Sequence, residues 1–384
     1  MQETGYAAVY ILYDEKRQER VMRILHVINP LLPGGAERMA VDLAEGMKQA
    51  GHQVTVLALQ ATDTFLWKEL EEQGVEVRAL SQHLSNYSPL HAWRLRRELE
   101  GYDVVHVHLF PAQYWGACAK WLSGYRGLLV TTEHSTFNVR CKYRLTTWLD
   151  RLMYQAYDAI IGVSDPTTAF MRQRVKGRIP VYTIENGVNL QRVTQGSRSR
   201  AELLPDLPKN AFVVMQVGRF RPEKNQECTI RALAQLPPEV HGVFIGEGPC
   251  MPRCRQLVQE LGLSQRVYFL GYRADAAACL DAADVVVLPS LWESFGLSAL
   301  EAMARGVPVL ASNVEGLSQV VGHPDLLFET DNADELAKKI VTLRNHFEYQ
   351  KTMSEYCRNR AYIFDINQTV EKHLALYEQL RKSK

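Results

Sequence analysis

Asp284-Val285-Val286-Val287-Leu288-Pro289-Ser290 leads, after Leu291, into Trp292-Glu293-Ser294-Phe295-Gly296-Leu297-Ser298-Ala299-Leu300-Glu301. The first run is short, apolar and β-branched and stops at a proline, the pattern of a buried strand. The second has helical composition. Its spacing predicts a helix from near Phe295, with Ser294 as N-cap, to Arg305, where Gly306 supplies the left-handed stop. Val307-Pro308-Val309-Leu310 then opens the next strand. Strand, helix and strand in such close succession form the crossover unit of a parallel sheet.

In a parallel sheet the carboxyl end of a strand and the amino end of the following helix face the ligand crevice. Glu293 falls in the loop at that mouth, and Glu301 lies about two turns into the helix, roughly 9 to 12 Å along its axis. Two carboxylates so placed can grip separate hydroxyls of one elongated polyol. Between them, the amides of Phe295, Gly296 and Leu297 and the positive end of the helix dipole suit an anion. Taken alone, the pair equally fits a charge at a helix start and a solvated helix residue.

The same rhythm extends outward in both directions. From Met22, strands over 23–29, 53–59, 75–80, 104–109, 128–132 and 159–164 alternate with helices over 36–49, 65–73, 90–100, 112–122 and 143–157. The alternation breaks over 187–210, a polar and basic stretch with Ser197-Arg198-Ser199-Arg200 and two prolines. It resumes at Phe212 to Val217, with further strands near Val243, Val267, Val285 and Val309, and closes in an amphipathic helix over 368–382. This pattern predicts an α/β protein of two Rossmann-like domains whose parallel sheets face a central cleft. The expected first domain is 22–188, the linker 189–210 and the second domain 211–365, with 366–384 packing back on the first.

Composition agrees with two domains, since 384 residues exceed the roughly 250 to 300 over which one core grows. A net charge of +1 argues against nucleic-acid binding. No apolar run reaches the ~18 residues of a membrane span. Seven irregularly spaced cysteines read as reduced thiols of a cytoplasmic protein. Cys250 and Cys254 have no His or Cys nearby to complete a set, so no metal site is expected. Residues 1–21 carry too short an apolar piece for a signal peptide and read as an extension before the first strand.

Phosphate-binding features recur at strand ends. Pro33-Gly34-Gly35-Ala36-Glu37-Arg38 is a glycine turn opening a helix, where bare backbone can approach a phosphate. It lacks the Gly-x-Gly-x-x-Gly spacing of a dinucleotide site, and no acidic residue ends the second strand, which weighs against an oxidoreductase. Gly218-Arg219-Phe220-Arg221-Pro222-Glu223-Lys224 places a guanidinium and an ammonium together, a sensible pairing for pyrophosphate. Gly246-Glu247-Gly248-Pro249 and Gly271-Tyr272-Arg273 end the next two strands and can bring main chain against a nucleotide. His134, in Thr131-Thr132-Glu133-His134-Ser135, suits a hydrogen bond to a sugar hydroxyl or a proton transfer. Each feature singly also fits a packing turn, a solvated cation or a structural histidine.

Taken in order, Gly34-Gly35, His134, Gly218-Arg219 with Lys224, Gly248, and Glu293 with Glu301 in Glu-Ser-Phe-Gly-Leu-Ser-Ala-Leu-Glu resemble the retaining glycosyltransferases of the group 1, family-four type, from about residue 22 to the end. The resemblance implies two facing Rossmann domains, the GT-B fold, and a nucleoside diphosphate sugar as donor with no other cofactor and no metal. By the same resemblance Arg219 and Lys224 hold the pyrophosphate with Gly218 and Gly248 nearby. Glu301 binds the ribose hydroxyls, and Glu293 with Ser294, Phe295, Gly296 and Leu297 holds the donor sugar. Gly34 and Gly35 face the phosphates, His134 lies beside the transferred sugar, and Tyr272 with Arg273 borders the base. No Asp-x-Asp motif occurs, consistent with metal-free chemistry.

The acceptor is expected to be a glycan or lipid-linked molecule of surface polysaccharide synthesis. Arg94, Arg96, Arg97, Arg140, Lys142, Arg144, Arg172, Arg174, Lys176 and Arg178, with Trp148, Leu149, Leu152 and Met153 on one basic-edged helix, suit peripheral contact with the inner face of the cytoplasmic membrane. Ordinary amphipathic packing with solvated arginines accounts for the same residues. Two rival readings stay open: another two-domain nucleotide-sugar enzyme such as a 2-epimerase, and a non-catalytic nucleotide-sugar binder.

Overall fold

Seven strands assemble into one parallel sheet and six into another, each with its first strand inside the sheet rather than at an edge. The structure, a computed structural model, describes residues 20–135, 144–205 and 207–384. Most of the expected N-terminal extension, together with Arg140 and Lys142, lies outside the described residues, as does the Arg144 side chain.

The first sheet comprises β1 (Arg23–Ile28), β2 (Gln53–Ala58), β3 (Glu76–Ala79), β4 (Val104–His108), β5 (Leu128–Glu133), β6 (Ala159–Gly162) and β7 (Val181–Thr183), in the order β3-β2-β1-β4-β5-β6-β7. The second comprises β8 (Phe212–Val217), β9 (Val240–Ile245), β10 (Val267–Phe269), β11 (Val285–Leu288), β12 (Val309–Ser312) and β13 (Leu327–Phe328), in the order β10-β9-β8-β11-β12-β13. Near-continuous Val, Ile and Leu runs produce this because helices cover both faces of a parallel sheet. Alternation then sorts the side chains. Ile24 and Ile28 of β1 enter one core with the helix Gly35–Gln49, while Leu25 and Val27 enter another on the opposite face.

The last helix, Ile366–Lys382, leaves the second lobe beside a bridge between Val188 and Asp365 and lies against Gly35–Gln49 on the first sheet. Ile366, Val370, Leu374 and Tyr377 are buried in that first-lobe core. A Cβ at Gly46 would stand 2.6 Å from Val370 Cγ2, so the bare glycine permits the close seating. One strand and one helix of the first lobe, Val181–Thr183 and Asp165–Val175, complete the sheet beyond the elements read from sequence.

Two expectations need correction. The helix after β11 spans Leu297–Ala304 and its N-cap is Gly296, with φ 94°, not Ser294. Leu317 decides this: a Cβ at residue 296 would lie 2.5 Å from its Cδ2, so only glycine can take that left-handed turn there. Phe295 is consequently buried at 4% exposure, edge-on to Phe364, and contributes backbone rather than side chain to the loop. The stretch read as a linker is also ordered. Asn189 caps Leu190–Thr194, Ser199 and Glu202 form a capping box on Arg200–Leu203, and Val193, Leu203 and Leu204 are buried in the second core. Polar composition hid these two short helices because three apolar residues suffice to dock them.

Candidate active site

Strand order reverses between β1 and β4 in one sheet and between β8 and β11 in the other, and open α/β sheets bind ligands at the carboxyl ends beside such reversals. The sequence candidates sit at those ends. Gly34 and Gly35 follow β1, Arg219 and Lys224 follow β8, Glu293 and the Leu297–Ala304 helix follow β11, and His134 follows β5. Across the gap, Arg219 Nη2 donates to the carbonyl of Pro33, and a Cβ at Gly35 would touch Leu297 Cδ1 at 3.5 Å. The glycine turn of one lobe therefore meets the cation and helix start of the other.

Within the second lobe, Lys224 Nζ is hydrogen-bonded to Glu293 Oε2, both side chains being partly exposed. Gln216 donates to the Lys224 carbonyl at 2.9 Å and so fixes the backbone from which the ammonium projects. Among the described residues no protein acceptor meets the amides of Phe295, Gly296 and Leu297, so the helix start keeps free donors and its partial positive charge. Gly218 and Gly248 line the same edge. A Cβ at Gly248 would run into the Phe220 carbonyl, so that loop packs directly on the backbone between Arg219 and Arg221.

Glu301 lies in the helix, with one oxygen 3.6 Å from Arg192 Nη2. Burial pushes its carboxyl upward, and Asp42 adds to this, while the Arg192 and Arg38 guanidinium groups oppose it. Glu37 behaves similarly: burial raises its carboxyl against the pull of Arg219 and Arg221. At the far end, Tyr272 is half exposed and its amide points to Glu247 Oε1 at 3.4 Å. Arg273 turns its guanidinium to Asp275 through bonds of 2.9 and 2.8 Å. The guanidinium is therefore committed, and the Gly271–Arg273 turn presents mainly backbone and the tyrosine ring.

His134 is attached to something unforeseen. Its Nε2 lies 3.5 Å from His108 Nδ1, whose other nitrogen is 3.0 Å from His26 Nδ1. His106, beside them, bonds Thr132 Oγ1 at 2.7 Å and Tyr377 Oη at 2.6 Å, and His373 Nδ1 faces the Thr369 carbonyl at 2.8 Å. Strand register explains the grouping: His26 pairs with His106 across β1 and β4, and His108 is two residues on, so all three emerge on the face that Ile366–Lys382 covers. Burial holds these imidazoles neutral, with His26 pushed down to about 3 and His134 and His373 to about 4. In sequence the only trace is the alternating His-Val-His of β4.

Two groups among the described residues bring metal-ligating atoms within 4.8 Å of one another: His26, His106 and His108, and Asp42, Glu45 and Glu69. In the first, the nitrogens are largely engaged with each other, Thr132 and Tyr377. In the second, Arg38 already supplies the positive charge, 2.8 Å from Asp42 and 2.5 Å from Glu69. Neither group contains a residue of the cleft edge described above.

Comparison with known proteins bears on the fold and the family. A family model described as glycosyltransferase family 4 matches residues 33–192, and one described as glycosyl transferases group 1 matches 202–360. A D-inositol 3-phosphate glycosyltransferase of Corynebacterium urealyticum is 32% identical over 317 residues, 73% of this chain and 72% of the relative. A UDP-Gal:alpha-D-GlcNAc-diphosphoundecaprenol alpha-1,3-galactosyltransferase of Escherichia coli is 28% identical over 381 residues, covering 93% and 96%. Among solved structures, HepE of Anabaena in complex with UDP-glucose superposes with a TM-score of 0.80 at 26% identity, over 92% of this chain and 99% of that one. With both lobes matched, this chain belongs to the group 1, family-four glycosyltransferases of GT-B fold.

Proposed function

We propose that this glycosyltransferase moves a sugar, with retained anomeric configuration and without a metal ion, from a uridine diphosphate sugar to a glycan or lipid-linked acceptor in cell-surface polysaccharide synthesis. The observation that carries the reading is the convergence of Arg219, the Lys224–Glu293 pair and the free amides of the Leu297–Ala304 helix start on the gap facing Gly34 and Gly35. Departure of a nucleoside diphosphate concentrates negative charge on its phosphate, and fixed cations and amide dipoles are what stabilise it. Arg219 and Lys224 supply that charge. Glu301 receives the ribose hydroxyls, Glu293 a sugar hydroxyl, and His134 lies beside the sugar.

Glu293 is already engaged by Lys224, which favours a hydroxyl-binding carboxylate over a nucleophile. The acceptor then attacks from the face the phosphate leaves, and that phosphate takes the acceptor's proton. HepE crystallised with UDP-glucose supports uridine as the base, and the Escherichia coli relative's diphosphoundecaprenol substrate supports a lipid-linked acceptor.

The test is turnover of UDP-, GDP- and ADP-sugars by chelator-washed enzyme with mixed acceptors, followed by anomeric proton NMR of the product. Retained configuration and chelator-resistant release of UDP are expected. Binding without release of nucleoside diphosphate would favour a non-catalytic binder, and conversion of the donor to an epimerised nucleotide sugar would favour a 2-epimerase.

A surface on the first lobe bears on the acceptor. Trp148 is 59% exposed, and Leu149 and Leu152 stand beside it on Arg144–Tyr154, whereas Met153 of the same helix is buried. Arg94, Arg172 and Arg174 are bonded to Leu80, Val181 and Asp150 of the protein itself, and Arg151 is the cation of the helix among the residues whose side chains are described. No helix among the described residues is long and apolar enough to cross a membrane. This face suits contact with an anionic bilayer. Flotation with phosphatidylglycerol vesicles at low salt should carry the protein upward, and Trp148→Ser should reduce that fraction several-fold. Protein that stays at the bottom of the gradient ends the membrane reading.

A further inference from the structure

Arg192 lies in the stretch that sequence reads as a linker, yet its guanidinium stands within 4 Å of a carboxylate from each lobe. Nη2 is 3.5 Å from Asp42 Oδ2 and 3.6 Å from Glu301 Oε1. Its position is built rather than incidental. Asn189 Oδ1 accepts from the Arg192 amide at 2.9 Å, and the neighbouring Val193 is fully buried in the second core. Asp42 is itself fixed by Arg38 at 2.8 Å, and Arg38 also bonds Glu69 at 2.5 Å. The cation is thus held from both sides: by its backbone in the second lobe and by a braced carboxylate in the first.

We propose that Arg192 is a positioning residue of the donor site: it holds Glu301 charged and in one orientation, and makes that orientation depend on how the two lobes are seated. The proposal rests on the reading that Glu301 receives the donor ribose. A vicinal diol donates two hydrogen bonds, so its partner must be an ionised carboxylate with both oxygens available in a fixed plane. Left to itself, a carboxylate in this cleft wall would drift toward the neutral acid, because burial and Asp42 both oppose its charge. Arg192 offsets this through a single contact to Oε1, and the remaining lone pairs of both oxygens are left for the diol. Asp42 shares the guanidinium, so a shift of the first lobe that draws Arg192 toward Asp42 withdraws it from Glu301.

Calorimetric titration of the full chain with UDP at pH 7.5 tests this, with melting temperatures as the control for folding. Arg192→Gln should weaken UDP binding about tenfold, the scale of one charge-assisted hydrogen bond. Arg192→Lys should recover most of the loss. In a Glu301→Ala background Arg192→Gln should change the dissociation constant less than about twofold, because the interaction it serves is already gone. A tenfold loss in both backgrounds, or a lowered melting temperature with UDP affinity unchanged, overturns the proposal. Wild-type protein that binds none of UDP, GDP and ADP would instead refute the donor-site reading itself, and this inference with it.

Discussion

Lys224→Ala is expected to lower kcat by about 100- to 1,000-fold, the range found when one preorganised group is removed from a developing anion. The melting temperature should barely move. Among the described residues the Lys224 side chain bonds only Glu293, and the two side chains are 26% and 17% exposed, so the pair contributes on the order of 1 kcal/mol to folding. The Gln216 bond goes to the Lys224 carbonyl and survives the substitution. If, as proposed, the ammonium acts on charge that appears as the leaving phosphate departs, donor affinity should fall less than turnover. Lys224→Arg should recover part of the rate by restoring charge in a different geometry. Single-turnover kinetics beside calorimetric UDP titration separates the effects. A kcat within threefold of wild type, in a folded variant, would remove Lys224 from the reaction.

Acid should unfold this protein early, starting just below pH 6.5. His26, His106, His108 and His373 are 0 to 2% exposed and are held neutral by burial, their folded values lying well under the ordinary imidazole value of 6.5. Above pH 6.5 neither the folded nor the unfolded chain protonates them, so their contribution to stability is complete. Below it the unfolded chain takes up protons that the folded chain refuses, and stability falls until the folded values near 3 to 4 are reached. Each imidazole loses about 1.4 kcal/mol per pH unit over that window.

Glu45 works in the opposite sense. Burial lifts its carboxyl to about 8, so the folded chain gains one proton relative to the unfolded chain as pH drops from about 8 toward 4.5. Glu37 and Glu301, also raised by burial, act with it, but the lowered imidazoles, His134 among them, outnumber these carboxyls, so stability falls on balance, a loss set against the roughly 5 to 15 kcal/mol of an ordinary domain. Denaturant titrations followed by circular dichroism between pH 7.5 and 5 should show this fall, and His373→Gln should flatten it by about one proton. Stability that is level across that range would mean the layer is hydrated or already charged.

The consequence reaches beyond stability. His373 and Tyr377 belong to the C-terminal helix that returns from the second lobe, and Tyr377 bonds His106 directly. Charging the layer therefore loosens the crossing that joins the lobes, whereas among the described residues the second sheet buries one histidine, His241 of β9, also lowered by burial. Activity assays at mildly acidic pH will report this loosening as well as any titration at the active site.

The sequence by itself determined the two-lobed parallel architecture and the loops that bear the candidate site. Both are local properties. A β-branched run, an amphipathic helix or a glycine turn announces itself within a few residues, and placing Arg219, Lys224 and Glu293 at strand ends and Glu301 in the helix that follows required nothing further. Even the misplaced helix start, Gly296 rather than Ser294, failed for a non-local reason, since Leu317 arrives from the next helix to exclude any side chain. Only the tertiary structure decided which charge answers which. Lys224 meets Glu293 69 positions away, Arg192 meets Asp42 150 away, and His106 meets Tyr377 271 away. Such partners carry no periodic signal, because they are brought together by sheet register and by the seating of one lobe on the other.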